Sequence, residues 1–144
     1  MASLKELLAS IATIDSRGEF NIQVSGIAYH SKKVTEGNVF VCVTGYKVDG
    51  HQYLASAAAN GAVAAIVERF QDDVDIPQIR VANSRIALAQ LGAAFYGRPA
   101  DKLKMIGITA TNGKTTTSYM ANAMLENHGL KTGLIGTVVI KIDD

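Results

Sequence analysis

The chain has 144 residues, 48% of them hydrophobic, and its 14 Lys and Arg against 13 Asp and Glu leave a formal net charge of +1. That length buries one sizeable core and begins a second, while the balanced charge excludes a general nucleic-acid footprint and leaves any polyanion binding to local sites. No stretch approaches the roughly eighteen consecutive apolar residues of a membrane span, and no basic segment leads into a long apolar run, so a cytoplasmic protein without membrane insertion is expected.

Leu4, Leu7, Leu8 and Ile11 recur at helical spacing and predict a short amphipathic helix at the start of the chain. Ile22, Val24 and Ile27 sit in a β-rich stretch, residues 30–38 read as a polar loop, and the apolar run 39–43 reads as a buried strand. Cys42, the single cysteine, lies in that run and is expected to be a buried structural thiol. Residues 52–60 are Ala-rich and helical, closed by Gly61, and 63–67 read as the next strand. Pro77 opens a strand over 78–81. Asn83 or Ser84 then caps a helix to about Tyr96, which stops at Gly97-Arg98-Pro99. Strands alternating with helices predict an α/β fold with a largely parallel sheet.

The helix stop, the proline and the short charged run over 97–104 mark a boundary, giving a first domain of residues 1–98 and a second of 99–144. The second reads as a strand over 105–109, a loop, a helix over 114–128 closed by Gly129, and a strand over 134–140. One βαβ unit cannot cover both faces of its own sheet, so the chain is expected to be part of a longer or split protein.

The strongest chemical signal is Thr109-Ala110-Thr111-Asn112-Gly113-Lys114-Thr115-Thr116-Thr117, set between the apolar strand and the helix. A turn entering a helix N-terminus aims free backbone N–H groups and the positive end of the helix dipole at one point, which suits a phosphate. Gly113 allows close approach, Lys114 can reach the β- and γ-phosphates, and the Thr115 hydroxyl is placed to hold Mg²⁺. The general phosphate-loop pattern asks for glycine where Ile108 stands, so only its Gly-Lys-Thr end is met.

This run resembles the ATP loop of the Mur ligases, which usually read Thr-Gly-Thr-Asn-Gly-Lys-Thr. Ala110 replaces a glycine, and a loop that carries alanine there is expected to hold negative φ. Upstream, His30-Ser31-Lys32-Lys33-Val34-Thr35-Glu36-Gly37-Asn38-Val39-Phe40 is similar to the family stretch Asp-Ser-Arg-x-Val-x-x-Gly-Asp-x-Phe, with Val34, Gly37, Phe40 and then Gly45 in register. Asp49-Gly50-His51 and Gly61-Ala62 also fit. Asp15-Ser16-Arg17 spells the family triplet, but nothing after it keeps the register.

The resemblance implies a nucleotide-sugar-binding domain followed by the first βαβ unit of a P-loop ATP-binding domain. It marks Tyr29, Ser31, Gly45, Tyr46, Lys47 and His51 as candidate contacts to the substrate. Ser31 offers a hydroxyl on a loop at a strand end, and Tyr46 a ring face. His51 could meet the substrate or cap the helix beginning at Gln52. Ala110, Thr111, Asn112, Gly113, Lys114, Thr115 and Thr116 are the implied ATP contacts, with Lys114 and Thr115 in the catalytic role and Thr115 on the metal.

By the same resemblance the complete enzyme uses ATP and Mg²⁺ to activate the free carboxylate of UDP-MurNAc-L-Ala-D-Glu as an acyl phosphate, which a diamino acid (meso-diaminopimelate or L-lysine) attacks to form an amide. This chain alone, without the C-terminal domains of the ligase, is expected to be inactive. The alternatives are the family member that adds D-Ala-D-Ala and a non-catalytic nucleotide-sugar-binding module.

Overall fold

In a computed structural model, residues 1–45 and 48–142 are described, and the chain divides into two compact units, Met1–Leu103 and Lys104–Asp144. The first unit contains β1 (Ala2–Ser3), α1 (Leu4–Leu8), β2 (Thr13–Arg17), β3 (Gln23–Val24), β4 (Gly26–Ala28), β5 (Asn38–Val41), α2 (Leu54–Ala59), β6 (Ala62–Val67), β7 (Gln78–Val81) and α3 (Ser84–Phe95). Among the described residues, five strands form one sheet in the order β2-β7-β6-β5-β4. β4 to β7 run parallel and β2 is antiparallel to β7 at the edge.

Both faces of this sheet are covered, and the strand sequences show why. On β5, Val39 and Val41 enter one core with Leu4, Leu7, Ala87 and Leu91, while Phe40 enters the other with Leu54 and Ala57. On β6, Ala64 and Ile66 join the first core, and Ala65 and Val67 the second. Successive side chains of a strand point to opposite faces, so a continuous apolar run is what a sheet between two helical layers requires. Leu91 of α3 is 1% exposed in the first core, and Leu54 of α2 is fully buried in the second.

Cys42, directly after β5, is fully buried, and burial, with the negative charge of Asp49 adding to it, pushes its thiol up to about 12. It is an inert structural thiol at neutral pH.

Two features differ from the sequence expectation in this unit. The helix expected over 52–60 is a 3-10 turn, Gly50–Tyr53, followed by α2. β2 was not expected at all; all five of its residues are exposed, so no apolar alternation announces it. The triplet Asp15-Ser16-Arg17 lies in this edge strand, where Arg17 forms an ion pair with Asp72 at 2.6 Å.

The second unit contains α4 (Lys114–Asn127) and the antiparallel pair β8 (Gly133–Ile135) and β9 (Ile140–Ile142). The expected strand over 105–109 does not form, and the expected single strand over 134–140 is divided between β8 and β9, so the first βαβ unit is not present among the described residues. The physical reason is pairing. An extended segment needs a neighbouring ladder for its N–H and C=O groups, and β8 and β9 take each other as partners. α4 buries none of its residues, and Tyr119, Met120 and Met124 stand exposed.

Replacing Leu91 by Ala removes the α3 anchor of the first core and is expected to lower the unfolding free energy by about 2–5 kcal/mol. Urea denaturation followed by circular dichroism measures it, and an unchanged midpoint would show that α3 does not hold that face.

Candidate functional site

Parallel strands β4 to β7 all end on one edge of the sheet, so the loops that leave them converge there: residues 29–37 after β4, 42–53 after β5, 68–77 after β6 and 82–83 after β7. In open parallel sheets, ligands bind outside the carboxyl ends of the strands. The candidate substrate residues of the first unit fall on two of these loops.

Tyr29 directly follows β4 and is 65% exposed. His30 is the N-cap of a 3-10 turn, Ser31–Lys33, and its Nδ1 accepts from the Lys32 backbone N–H at 3.3 Å. The imidazole therefore performs a capping role open equally to the carboxylate usual in the family stretch. Ser31 is buried, and its carbonyl accepts from Asn60 Nδ2 at 3.1 Å, which fixes the loop against the end of α2. Gly45 donates its N–H to the Val48 carbonyl at 2.9 Å. A Cβ on Gly45 would lie 2.6 Å from that oxygen, so the close backbone approach itself demands glycine. Tyr46 and Lys47 lie outside the described residues.

His51 is placed differently from the expectation of a substrate contact. Its ring is 2% exposed, Nδ1 sits 2.6 Å from Asp49 Oδ1, and Nε2 accepts from the Glu68 backbone N–H at 2.9 Å. With Nε2 accepting, the neutral ring carries its proton on Nδ1 and donates it to Asp49. Both nitrogens are satisfied inside the chain, leaving no polar atom for a substrate.

His51 belongs to a polar network that sequence reasoning missed. Glu68, the first residue after β6, accepts from Thr44 Oγ1 at 2.9 Å with one oxygen, and from Ser84 N–H at 2.9 Å and Ser84 Oγ at 2.7 Å with the other. Arg69 pairs with Asp49, and Arg85 Nη2 donates to the Thr44 carbonyl at 3.2 Å. One signal could have found Glu68: it is the charged residue that immediately follows a buried strand, at the edge where ligand loops gather. Burial works against ionisation of Asp49 and Glu68. The His51 N–H, Arg69 and the His51 ring outweigh it for Asp49, and Ser84 and Thr44 for Glu68, so both carboxyls lie below the ordinary range.

In the second unit, residues 110–117 are exposed and run into α4. Gly113 takes φ 80°, a left-handed conformation that favours glycine, and no atom lies within 4 Å of a Cβ built on it. No side chain caps α4. The N–H groups of its first turn therefore have no side-chain cap. The start of α3 is the opposite case: Glu68 takes the Ser84 N–H, and Asn83 Oδ1 takes those of Arg85 and Ile86, each at 3.0 Å. Lys114 Nζ folds back to donate to the carbonyls of Ala110 at 2.6 Å and Thr111 at 3.4 Å. Ala110 does not hold positive φ; among the described non-glycine residues only Arg98 does, so alanine is accommodated there without left-handed strain. Thr111, Asn112, Thr115 and Thr116 stand exposed around this turn.

Residues 23–96, half of the chain, match the Mur ligase family, catalytic domain. The chain belongs to the Mur ligase family. A UDP-N-acetylmuramoyl-L-alanyl-D-glutamate--2,6-diaminopimelate ligase from Alkaliphilus metalliredigens is 43% identical over 136 residues, covering 94% of this chain and 28% of the relative. A solved structure of a ligase of the same name superposes with a TM-score of 0.74 at 27% identity, over 98% of this chain and 28% of that one. The MurF ligase of Thermotoga maritima in complex with ADP superposes with a TM-score of 0.55 at 36% identity, over 70% of this chain and 23% of that one. The chain thus spans about a quarter of the length of the Mur ligases it matches. Among the described residues no group of three or more His, Cys, Asp or Glu is arranged to hold a metal ion, and no helix is long and apolar enough to cross a membrane.

The lowered carboxyls set a pH dependence. A carboxyl whose folded pKa is depressed adds stability above its unfolded value, and that stability is lost as pH falls through the ordinary range toward the folded one. The first unit is expected to lose stability progressively below about pH 4, and Asp49→Asn to flatten that dependence while lowering stability at neutral pH. Thermal unfolding between acid and neutral pH checks both; an acid dependence identical in wild type and variant would remove Asp49 from the account.

Proposed function

We propose that this chain is the nucleotide-sugar-binding portion, together with the opening of the ATP-binding portion, of an ATP-dependent ligase that joins a diamino acid to UDP-MurNAc-L-Ala-D-Glu in peptidoglycan precursor synthesis. Residues 1–98 take the substrate and 99–144 begin the ATP domain. The names of the relatives support the reaction, and the observation that carries the reading is the uncapped N-terminus of α4 behind Gly113.

The free N–H groups of that helix turn and the exposed side chains of Thr111, Asn112 and Thr116 suit the phosphate chain of ATP. Lys114, released from the two loop carbonyls it now serves, supplies the full positive charge that offsets the charge developing as the γ-phosphoryl group moves to the substrate carboxylate. The amine of the diamino acid then displaces phosphate and the amide forms. Thr115 is exposed at the helix start and fits as a single hydroxyl ligand to Mg²⁺, which when bound neutralises phosphate charge. Residues 105–109 are assigned as a strand that forms once further strands of the ATP domain flank it. No residue of this chain is assigned to recognition of the incoming amino acid.

In the first unit, Tyr29, Ser31 and Gly45, with Tyr46 and Lys47, are assigned to the nucleotide sugar. His51 is reassigned from contacting the substrate to holding the loop that does.

Isothermal titration of the 144-residue chain separates the two halves of this reading. UDP-MurNAc-L-Ala-D-Glu is expected to bind wild type and Lys114→Ala alike, whereas ATP with Mg²⁺ is expected to bind Lys114→Ala at least about tenfold more weakly, since a charge-assisted contact to phosphate is lost. Equal ATP affinity in the two proteins would remove Lys114 from the site. Absence of UDP-MurNAc-L-Ala-D-Glu binding to the folded wild type at millimolar ligand would overturn the assignment of the first unit.

A further inference from the structure

The loop after β5 is doubled back on itself. Thr44 and Asp49 form an antiparallel bridge, the Gly50 N–H donates to the Val43 carbonyl at 2.9 Å, and the Gly45 N–H to the Val48 carbonyl at 2.9 Å. The direction of such a loop is set at its base. On one side of the base, Thr44 is gripped twice: its hydroxyl by Glu68 and its carbonyl by Arg85. On the other, Asp49 is gripped by the His51 ring and Arg69.

Glu68 is the member that links this base to a rigid element. One carboxylate oxygen is fixed by the backbone and hydroxyl of Ser84 at the start of α3, whose body is anchored in the core by Leu91. The other reaches Thr44, 24 residues away in sequence. The loops after β5, β6 and β7 are thereby held by one carboxylate.

Resting on the reading that Gly45 contacts a nucleotide sugar, we infer that Glu68 is a positioning residue for substrate binding, acting through the Thr44 hydroxyl to orient Gly45. It touches no substrate itself. The hydroxyl of Thr44 lies outside both apolar cores, so its loss is expected to change loop direction more than global stability.

The test compares wild type with Thr44→Val, which keeps the side-chain shape and loses the donor, and Thr44→Ser, which restores the donor. In the 144-residue chain, Thr44→Val is expected to bind UDP-MurNAc-L-Ala-D-Glu about tenfold more weakly, and Thr44→Ser to return within about twofold of wild type. In the ligand-free chain, amide exchange at Gly45 is expected to speed up about tenfold in Thr44→Val and to recover in Thr44→Ser. Glu68→Ala, which leaves nothing to meet the Thr44 hydroxyl, is expected to follow Thr44→Val in both measurements.

Wild-type affinity in Thr44→Val, or no recovery in Thr44→Ser, overturns the inference. If the wild-type chain itself fails to bind the nucleotide sugar, the reading of the site fails, and the exchange data still decide the brace: unchanged exchange at Gly45 in Thr44→Val overturns it, and faster exchange reversed by serine upholds it as a device that orients the loop.

Discussion

A parallel sheet buried on both faces imposes one condition on everything else in the first unit: polar chemistry is confined to the ends of the strands. β5 and β6 have apolar side chains on both sides because a helical layer lies over each face, and neither face has room for an unpaired charge. Polar residues shortly after each strand therefore mark where the interior stops. Thr44 follows β5, Glu68 follows β6 and Ser84 follows β7, and the three meet through one carboxylate. Their meeting is a geometric result of strands that are adjacent and parallel.

That arrangement explains why a histidine sits almost completely buried at the edge of such a sheet. Polar groups removed from water carry a desolvation cost unless hydrogen-bonded, and His51 meets the condition with a carboxylate on one nitrogen and a main-chain N–H on the other. The Asp49 charge is in turn balanced by Arg69 at the surface. The network is satisfied from the interior outward, with its most exposed members carrying the formal charges.

Much of the first unit was legible in the sequence, because continuous apolar runs, an Asn cap and a Gly-Arg-Pro stop each have a direct physical meaning. Asn83 does cap α3, and β6 and β7 fall within a residue of their expected bounds. β2 was illegible because an edge strand with no buried residue carries no periodic signal. The strand expected over 105–109 was read from local apolarity, yet strand formation is non-local: Met105 and Ile106 are apolar enough, but among the described residues no ladder is present for them to join. The site was legible in unequal parts. The turn at Gly113 follows from a local motif, whereas the partners of Glu68 lie far apart in sequence and meet only once the strand order is known. His51 shows the same limit, since a residue named for its chemistry turned out to be occupied by its neighbours.

α3 and α4 also differ in what their first turns cost. α3 meets its opening N–H groups with Asn83 and Glu68 and is complete without a ligand. α4 begins after a left-handed glycine with no side-chain cap, forgoing roughly a few tenths of a kcal/mol relative to a capping side chain. An anion seated on that turn would return a comparable amount. Occupancy and folding of this helix end are therefore thermodynamically linked, and an empty phosphate turn is a place where the chain keeps binding capacity in exchange for rigidity.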